Sequence, residues 1–316
     1  EGTLMGRAGF VAANGIDDKC DAASTIVILC GQGNNGGDGY TAAVHLKSRG
    51  HHVICVAVSG KKPKTQDALR AYNHWLEKGG EVIDDPYMAP KADVVVDAML
   101  GVGITKAISG DYIDAALWFN ERQALHMAID VPTGIDAEKG NWVGGIKGCV
   151  ADMTLNLISA KAGCFMNDGK DASGMVTLSE LDVSVPLSSL SLIDTDDFKH
   201  ILELRKYHSH KGTYGHCVVI GGDKGKVGAA LLAARSALKL GAGSVTVELM
   251  APNAPLYDPM QPELMITAAP VDFSNADAIV VGCGMGFTQN AKDRFIAALR
   301  SHAPFTLDAV PLPIVP

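Results

Sequence analysis

The sequence predicts an α/β protein: a parallel sheet with helices on both faces, followed by a second, smaller unit of the same kind. Three observations carry this. Apolar runs rich in β-branched residues, at 25–30, 52–58, 93–98, 125–130 and 151–157, alternate with helical patterns near 37–49, 65–78 and 111–122. Such continuous apolar runs mark strands buried on both faces, as in sheets wound by crossover helices. The alternation breaks in polar sequence around 183–210 and then restarts.

Taken in order, TIVILC at 25–30 opens into a glycine-rich turn at 31–39, and a helix follows. HVICVAV, DVVVDA, LHMAID and ADMTLNL supply the next strands, and GMVTLSEL at 174–181 adds a late one. The stretch SVPLSSLSLIDTDD and the basic, His-containing RKYHSHKGTYGH read as a connection into the second unit. There, strands at 216–221, 244–249, 277–282 and 304–308 alternate with helices at 227–240 and 290–301. The end, PLPIVP, cannot continue as helix or central strand. The expected domains are 1–185 and 206–316, joined by a linker at 186–205.

Composition narrows the function classes. The chain has 316 residues, 47% apolar and 20% charged, with a net charge of −8. Its longest basic run is Lys61-Lys62, so a nucleic-acid surface, which needs clustered cations, is not expected. No apolar stretch reaches the roughly 18 residues of a membrane span without a charge. The first residues show no secretory pattern. Seven widely spaced cysteines without a CxxC read as reduced, mostly buried thiols, which implies a cytoplasmic protein. The sequence begins at Glu1 rather than Met, so it is expected to start inside the natural protein or after a processed segment.

Gly31, Gly33 and Gly36 satisfy GxGxxG after a strand and before a helix. Such a turn brings backbone N–H groups and a helix N-terminus close to a phosphate. Alone the motif is weak, because glycine turns also arise for purely structural reasons. An ordinary dinucleotide-binding dehydrogenase also needs an acidic residue about 20 residues on, to hold the ribose. Here the second strand ends in Ala57-Val58-Ser59-Gly60. Asn34, Asn35 and Asp38 crowd the turn with oxygens that suit a hard cation or satisfy the turn's own backbone.

Other strand ends carry chemistry as well. Asp97 closes the strand before the flexible loop Gly101-Val102-Gly103-Ile104-Thr105-Lys106. Asp130 closes the strand before Val131-Pro132-Thr133-Gly134, and 151–157 leads to Ser159 and Lys161. A carboxylate ending an apolar strand is poorly explained by packing. Each Asp alone reads equally as a turn or helix cap, and Lys161 as an ion-pair partner. Several such ends beside one glycine turn point to a shared pocket, since ligands of doubly wound sheets bind beyond the strands' carboxyl ends.

The segments GQGNNGGDGYTAAVHLKSRGHHV, VVDAMLGVGIT and AIDVPTGIDAEKG together resemble the NAD(P)H-hydrate epimerase family over about residues 4–182, and LMGRAG resembles that family's LMERAG helix with Gly6 in place of Glu. The resemblance implies a Rossmann-like three-layer αβα domain that interconverts the R and S forms of hydrated NADH and NADPH. It implies that Asn34, Asn35, Gly36, Gly37, Asp38 and the loop Gly101, Val102, Gly103, Ile104, Thr105, Lys106 and Ala107 line the substrate site. It further implies Asp130 as the acid/base and substrate contact. Asn35, Asp97 and Thr133 are the implied potassium ligands, Thr133 standing where Ser is more usual. A homo-oligomer is expected.

After the linker, HKGTYGHCVVIGGDKGKVGAALLAARSALKLGAGSVTVEL resembles the start of the ADP- or ATP-dependent NAD(P)H-hydrate dehydratase family, a ribokinase-like fold. This implies that Ala229 touches the hydrate. GCGMG at 282–286 stands where that family has GPGLG, which places Gly286 there too. The family's later HPGE-like loop and GxGD phosphate motif have no match, so this unit is expected to be partial and silent as it stands. A complete natural protein would also dehydrate the S form, using ADP or ATP and Mg2+. Three rivals remain: a non-catalytic epimerase-like binding scaffold, a kinase of small hydroxylated metabolites, and a dehydrogenase. The intact NNGGDG and Asp130, the missing GxGD and the missing ribose acid weigh against them in turn.

Overall fold

A computed structural model describes residues 3–185, 190–202 and 204–308, and the described chain divides into two compact units, Glu1–Leu192 and Ile193–Pro316. The expected linker falls partly outside the described residues, and PLPIVP wholly so.

The first unit runs α1 (Leu4–Asp17), β1 (Thr25–Cys30), α2 (Asn34–Ser48), β2 (His52–Ala57), α3 (Gln66–Glu77), β3 (Glu81–Ile83), β4 (Val94–Ala98), α4 (Asp111–Asn120), β5 (Leu125–Ile129), β6 (Met153–Leu157), α5 (Asn167–Ser173) and β7 (Met175–Ser179). The seven described strands form one parallel sheet in the order β3-β2-β1-β4-β5-β6-β7. Alternate residues of β1 face opposite layers, as pleating requires. Ile26, Ile28 and Cys30 pack with Ala12, Tyr40, Leu46 and Trp75 of α1–α3. Val27 and Leu29 pack with Ala115, Trp118 and Phe119 of α4 on the other side. This is the expected αβα sandwich. Gly9 lets α1 lie on α2, since a Cβ there would come 2.3 Å from Thr41 Cβ.

Chain order reverses between β1 and β4, and that topological switch point is where α/β sheets open a crevice for ligands. The helix after the glycine turn starts earlier than the sequence suggests. Gly33 is its N-cap, and Asn34 through Asp38 already lie in α2 rather than in a loop. Glycines inside a helix are unfavourable by propensity, but packing requires these ones. A Cβ on Gly36 would meet Gly31 O at 2.0 Å, and one on Gly37 would meet Met5 Sδ at 2.7 Å. The short β3, with Glu81 exposed and its other two residues half-buried, carries too little apolar signal to stand out in the sequence.

The second unit contains α6 (Thr195–Phe198), β8 (His216–Gly221), α7 (Val227–Leu240), β9 (Ser244–Leu249), β10 (Met265–Thr267), β11 (Ala278–Val281), α8 (Gln289–Leu299) and β12 (Phe305–Leu307). Its described strands pair in parallel in the order β10-β9-β8-β11-β12. Cys217, Val219, Val245 and Val247 face Ala230 and Ala234 of α7, whereas Val218, Ile220, Ile279 and Val281 face Ala291, Phe295 and Ala298 of α8. It is a second doubly wound α/β unit. The helix α6 falls inside the stretch that the sequence reads as linker.

Candidate functional site

At the switch point of the first sheet, the loops after β1, β4 and β5 meet. Gly31 N–H donates to Ala98 O at 3.1 Å, and a Cβ on Gly31 would lie 1.9 Å from Met99 O, so only glycine lets the two loops touch. Asp97 is fully buried there. Its Oδ1 accepts from Met99 N–H at 3.1 Å and from the Thr133 hydroxyl, and its Oδ2 accepts from Thr133 N–H. The Thr133 hydroxyl in turn accepts from Leu100 N–H at 3.0 Å. Burial pushes the Asp97 carboxyl above its ordinary value, and the donors from Thr133 and Met99 pull it back. A buried polar group needs such partners to offset its lost hydration.

Asn35, in the first turn of α2, is the exception. Neither its amide nitrogen nor its carbonyl oxygen has a partner, although both are buried. A Cβ on Gly101 would lie 3.6 Å from Asn35 Cγ and 2.9 Å from Asp130 Oδ2, so the bare glycine keeps space between these side chains. As oxygen donors, Asn35, Asp97 and Thr133 would together bring an amide, a carboxylate and a hydroxyl, with a single negative charge. That chemistry, with a buried amide still seeking a partner, fits a cation of low charge. Among the described residues, no cluster of three or more His, Cys, Asp or Glu side chains could hold a metal.

Asp130 follows β5 rather than ending it, and takes the left-handed backbone conformation at φ 71°. A non-glycine residue there is strained by roughly 1–3 kcal/mol unless its surroundings fix it. They do so at both backbone ends. Asp130 N–H donates to Leu155 O at 2.8 Å, and Asn156 Nδ2 donates to Asp130 O at 2.5 Å. Asn156 is itself fully buried, and its Oδ1 accepts from Lys161 N–H at 2.9 Å. The side chain of Lys161 then returns to Asp130, with Nζ 2.5 Å from Oδ1, and also donates to Leu157 O. Both partners are largely shielded, at 11% and 13% side-chain exposure, so solvent screens this pair little.

This ion pair opens on a cavity of about 380 Å³ lined by Asn34, Asp38, Val102, Asp130, Ser159 and Lys161, with Leu4, Met5 and Leu157 among its apolar walls. That volume lies within the range of small-molecule sites. Burial, and then the neighbouring Asp130 carboxylate, push the Asp38 carboxyl well above the usual carboxylate range. A second cleft, of about 360 Å³, lies between α1 and the sheet and is walled by Met127, Met153 and Met175 without convergent carboxyls.

The predicted residues divide. Asn34, Asp38, Val102 and Asp130 line one cavity, and Gly101 adjoins Asp130. Asn35 adjoins Gly101, Asp97 and Thr133 bond to each other, and Gly36 and Gly37 serve close backbone approach. Gly103, Ile104, Thr105, Lys106 and Ala107 are not among the lining residues; Ile104 packs instead against the α4-side core. Lys161 was visible only as a candidate ion-pair partner, and Asn156 gave one signal, an amide inside an apolar strand. In the second unit, a Cβ on Gly284 would lie 3.2 Å from Ala229 Cβ, and one on Gly286 would lie 2.3 Å from Asp223 Oδ2. Ala229 and the 282–286 loop therefore meet at that sheet's own switch point, between β8 and β11.

Each unit matches a known family. Residues 1–163 match the family described as YjeF-related protein N-terminus, and residues 217–315 match NAD(P)H-hydrate dehydratase. The "Bifunctional NAD(P)H-hydrate repair enzyme Nnr" of Escherichia coli is 32% identical over 97% of this chain and 61% of its own length. Its namesake in Coxiella burnetii is 32% identical over 97% of this chain and 65% of its own length. The chain thus spans about three fifths of the length of such curated relatives.

Proposed function

The chain belongs to the YjeF-related N-terminal family, and from that premise we propose that its first unit epimerises hydrated NADH and NADPH in the cavity at Asp130. One observation carries the reading: a shielded Lys161–Asp130 pair, held in a strained backbone conformation, faces a small-molecule cavity at the sheet's switch point. Strain kept at such a place marks function more often than packing.

The substrate carries a hydroxyl at C6 of the reduced nicotinamide ring. Inverting that centre removes the hydroxyl from one face and returns one to the other. Asp130 moves the proton at that oxygen, and Lys161 holds its carboxylate in place. The first turn of α2, whose N-cap Gly33 offers no side-chain cap, leaves backbone N–H groups for the diphosphate. Gly101 and Val102 border the ring site; Gly103 to Ala107 are assigned to the riboses by the family resemblance, although they are not among the residues that line the cavity. Asn35, Asp97 and Thr133 would hold a potassium ion beneath the cavity. When bound, that ion supplies fixed positive charge and rigidity rather than redox chemistry.

The second unit carries the reading of a dehydratase that returns the S hydrate to NAD(P)H at the expense of ADP or ATP with Mg2+, Ala229 and Gly286 touching the hydrate. The GxGD motif that would hold the nucleotide phosphates does not occur in this sequence. No described helix is long and apolar enough to cross a membrane. The seven cysteines are free thiols, which supports a cytoplasmic setting.

The test is interconversion. Separated R and S hydrates are mixed with the chain and followed by chromatography. Interconversion well above the spontaneous rate is expected, and a rate no faster than in buffer removes the reading. With ADP or ATP added to the S hydrate, absorbance near 340 nm, that of the reduced cofactor, is expected to stay flat.

A further inference from the structure

Two carboxyl groups of contrasting surroundings, not one, line the cavity proposed for the ring. Asp38 comes from the second turn of α2 and Asp130 from the end of β5, and both line the cavity. Their surroundings differ sharply. Asp130 has the Lys161 ammonium at 2.5 Å. Asp38 has neither an ion pair nor a side-chain hydrogen bond among the described residues, and Asp130 is the charge it feels. A desolvated carboxyl beside a carboxylate and without a cation is shifted towards its protonated form. An acid and a base that share one site have unlike surroundings of this kind. Asp67, the third carboxyl at the cavity, is half-exposed and bonded to Arg70, so it plays neither part.

We propose that Asp38 is a second catalytic residue of the epimerisation, giving the departing C6 hydroxyl its proton while Asp130 takes the proton of the incoming water. This rests on the epimerase reading above.

The step balances without any oxidant or reductant. The C6–O bond breaks with its electron pair going to oxygen, Asp38 protonates that oxygen, and water leaves. The N1 lone pair closes an N1=C6 double bond, which leaves the ring cationic. A solvent water adds to the other face of C6, N1 recovers its pair, and the surplus proton passes to Asp130. Asp38 is then ionised and Asp130 protonated, the form that handles the opposite epimer. A single carboxyl assists only on its own face and returns the hydroxyl to the side it left, so inversion needs both.

The experiment uses the whole chain, both purified hydrates and heavy-oxygen water. Inversion and label uptake at the C6 hydroxyl are measured separately. Asp38→Asn is expected to slow inversion about 10²–10⁴-fold, the usual worth of a positioned proton donor. Label uptake should persist above the buffer rate for one epimer only, and Asp130→Asn should preserve it for the other. If Asp38→Asn slows uptake equally for both epimers and raises KM, Asp38 merely holds substrate and the proposal fails. Inversion at the wild-type rate in Asp38→Asn overturns it too, while the epimerase reading survives. A wild-type chain without inversion overturns both. Should Asp38→Asn not fold, Asp38→Ala with added formate replaces it: recovery of inversion supports the acid role, and a folded variant indifferent to formate refutes it.

Discussion

Thr133 gives Asp97 two hydrogen bonds at once, its backbone N–H to Oδ2 and its hydroxyl to Oδ1, each at 2.7 Å. The end of β4 is thereby tied to the turn after β5 through one buried carboxylate. Thr133→Val keeps the shape and removes the hydroxyl, which deprives Asp97 of a donor and Leu100 N–H of its acceptor. Leaving such groups unsatisfied costs about 1–3 kcal/mol. An unfolding free energy lower by that amount, seen as a lower urea midpoint, is expected for Thr133→Val, with Thr133→Ser close to wild type. Equal midpoints for all three would show that the tie contributes nothing.

Asn35 supplies the test of the cation. Its amide is buried without a partner. Potassium chloride, compared with choline chloride at the same concentration, is expected to raise the melting temperature of the wild type but not of Asn35→Ala. At a tenfold excess over its dissociation constant, the ion would stabilise by about 1.4 kcal/mol. Identical melting in the two salts would remove potassium from the site.

Asp130→Asn separates chemistry from support. Turnover is expected to fall about 10²–10⁴-fold, with substrate binding retained because Asn preserves shape. If Asp130 only shapes the turn, the variant melts early and keeps its turnover. Titration with the hydrate, a melting curve and the epimerisation rate together decide between them.

Gly31 and Gly103 make a matched pair. An added Cβ would meet Met99 O at 1.9 Å in the first case and nothing within 4 Å in the second. Gly31→Ala is expected to destabilise by at least the roughly 1–3 kcal/mol typical of overpacking, and Gly103→Ala to be nearly neutral. Comparable unfolding curves for the two variants would contradict the close approach of the loops.

The second unit carries a pH dependence of definite sign. The Arg235 guanidinium, 2.6 and 2.7 Å from the two oxygens of Asp258, holds that carboxyl below its ordinary value. A group lowered on folding stabilises above its unfolded pKa, and the contribution disappears as pH falls through the folded one. The protection of peptides covering α7, taken relative to the intrinsic exchange rate at each pH, is therefore expected to fall below about pH 4, near the ordinary carboxylate value. In Asp258→Asn this acid-dependent part should be missing. An unchanged acid profile in the variant would mean that the pair does not stabilise the unit.

What the sequence disclosed followed from signal strength. TIVILC, HCVVIG and SVTVEL occupy the strands expected of them because a β-branched run buried on both faces has little else to become. The short β3 and β10 were missed; three residues apiece and only partly buried, they are set by neighbouring strands rather than by their own pattern. The start of α2 was hidden because Asn, Gly and Asp are turn formers by propensity, and only contacts with Gly31 and Met5 reveal why a helix accepts them there. Asp130 was legible as a carboxylate at a strand end. Its left-handed backbone, and the Asn156–Lys161 bracket that fixes it, depend on atoms some 30 residues away. Residues of the 103–107 loop were named by likeness, and side-chain direction was beyond any sequence pattern.

The sheet order bears on how this protein acquires its site. α2, β2, α3 and β3 lie in the chain between Ile26 and its partner Val94, so the central seam of the sheet is a long-range closure. Pairings of that kind form late and slowly, because the chain loses loop entropy before it gains contacts. Gly31 and Asp97 stand on opposite sides of the seam. A half-folded chain with native helices and every local hairpin-sized contact would still have no cavity. Catalytic competence should therefore lag behind helical signal during refolding and vanish first on gentle unfolding, which makes activity a sensitive gauge of a fully zipped molecule.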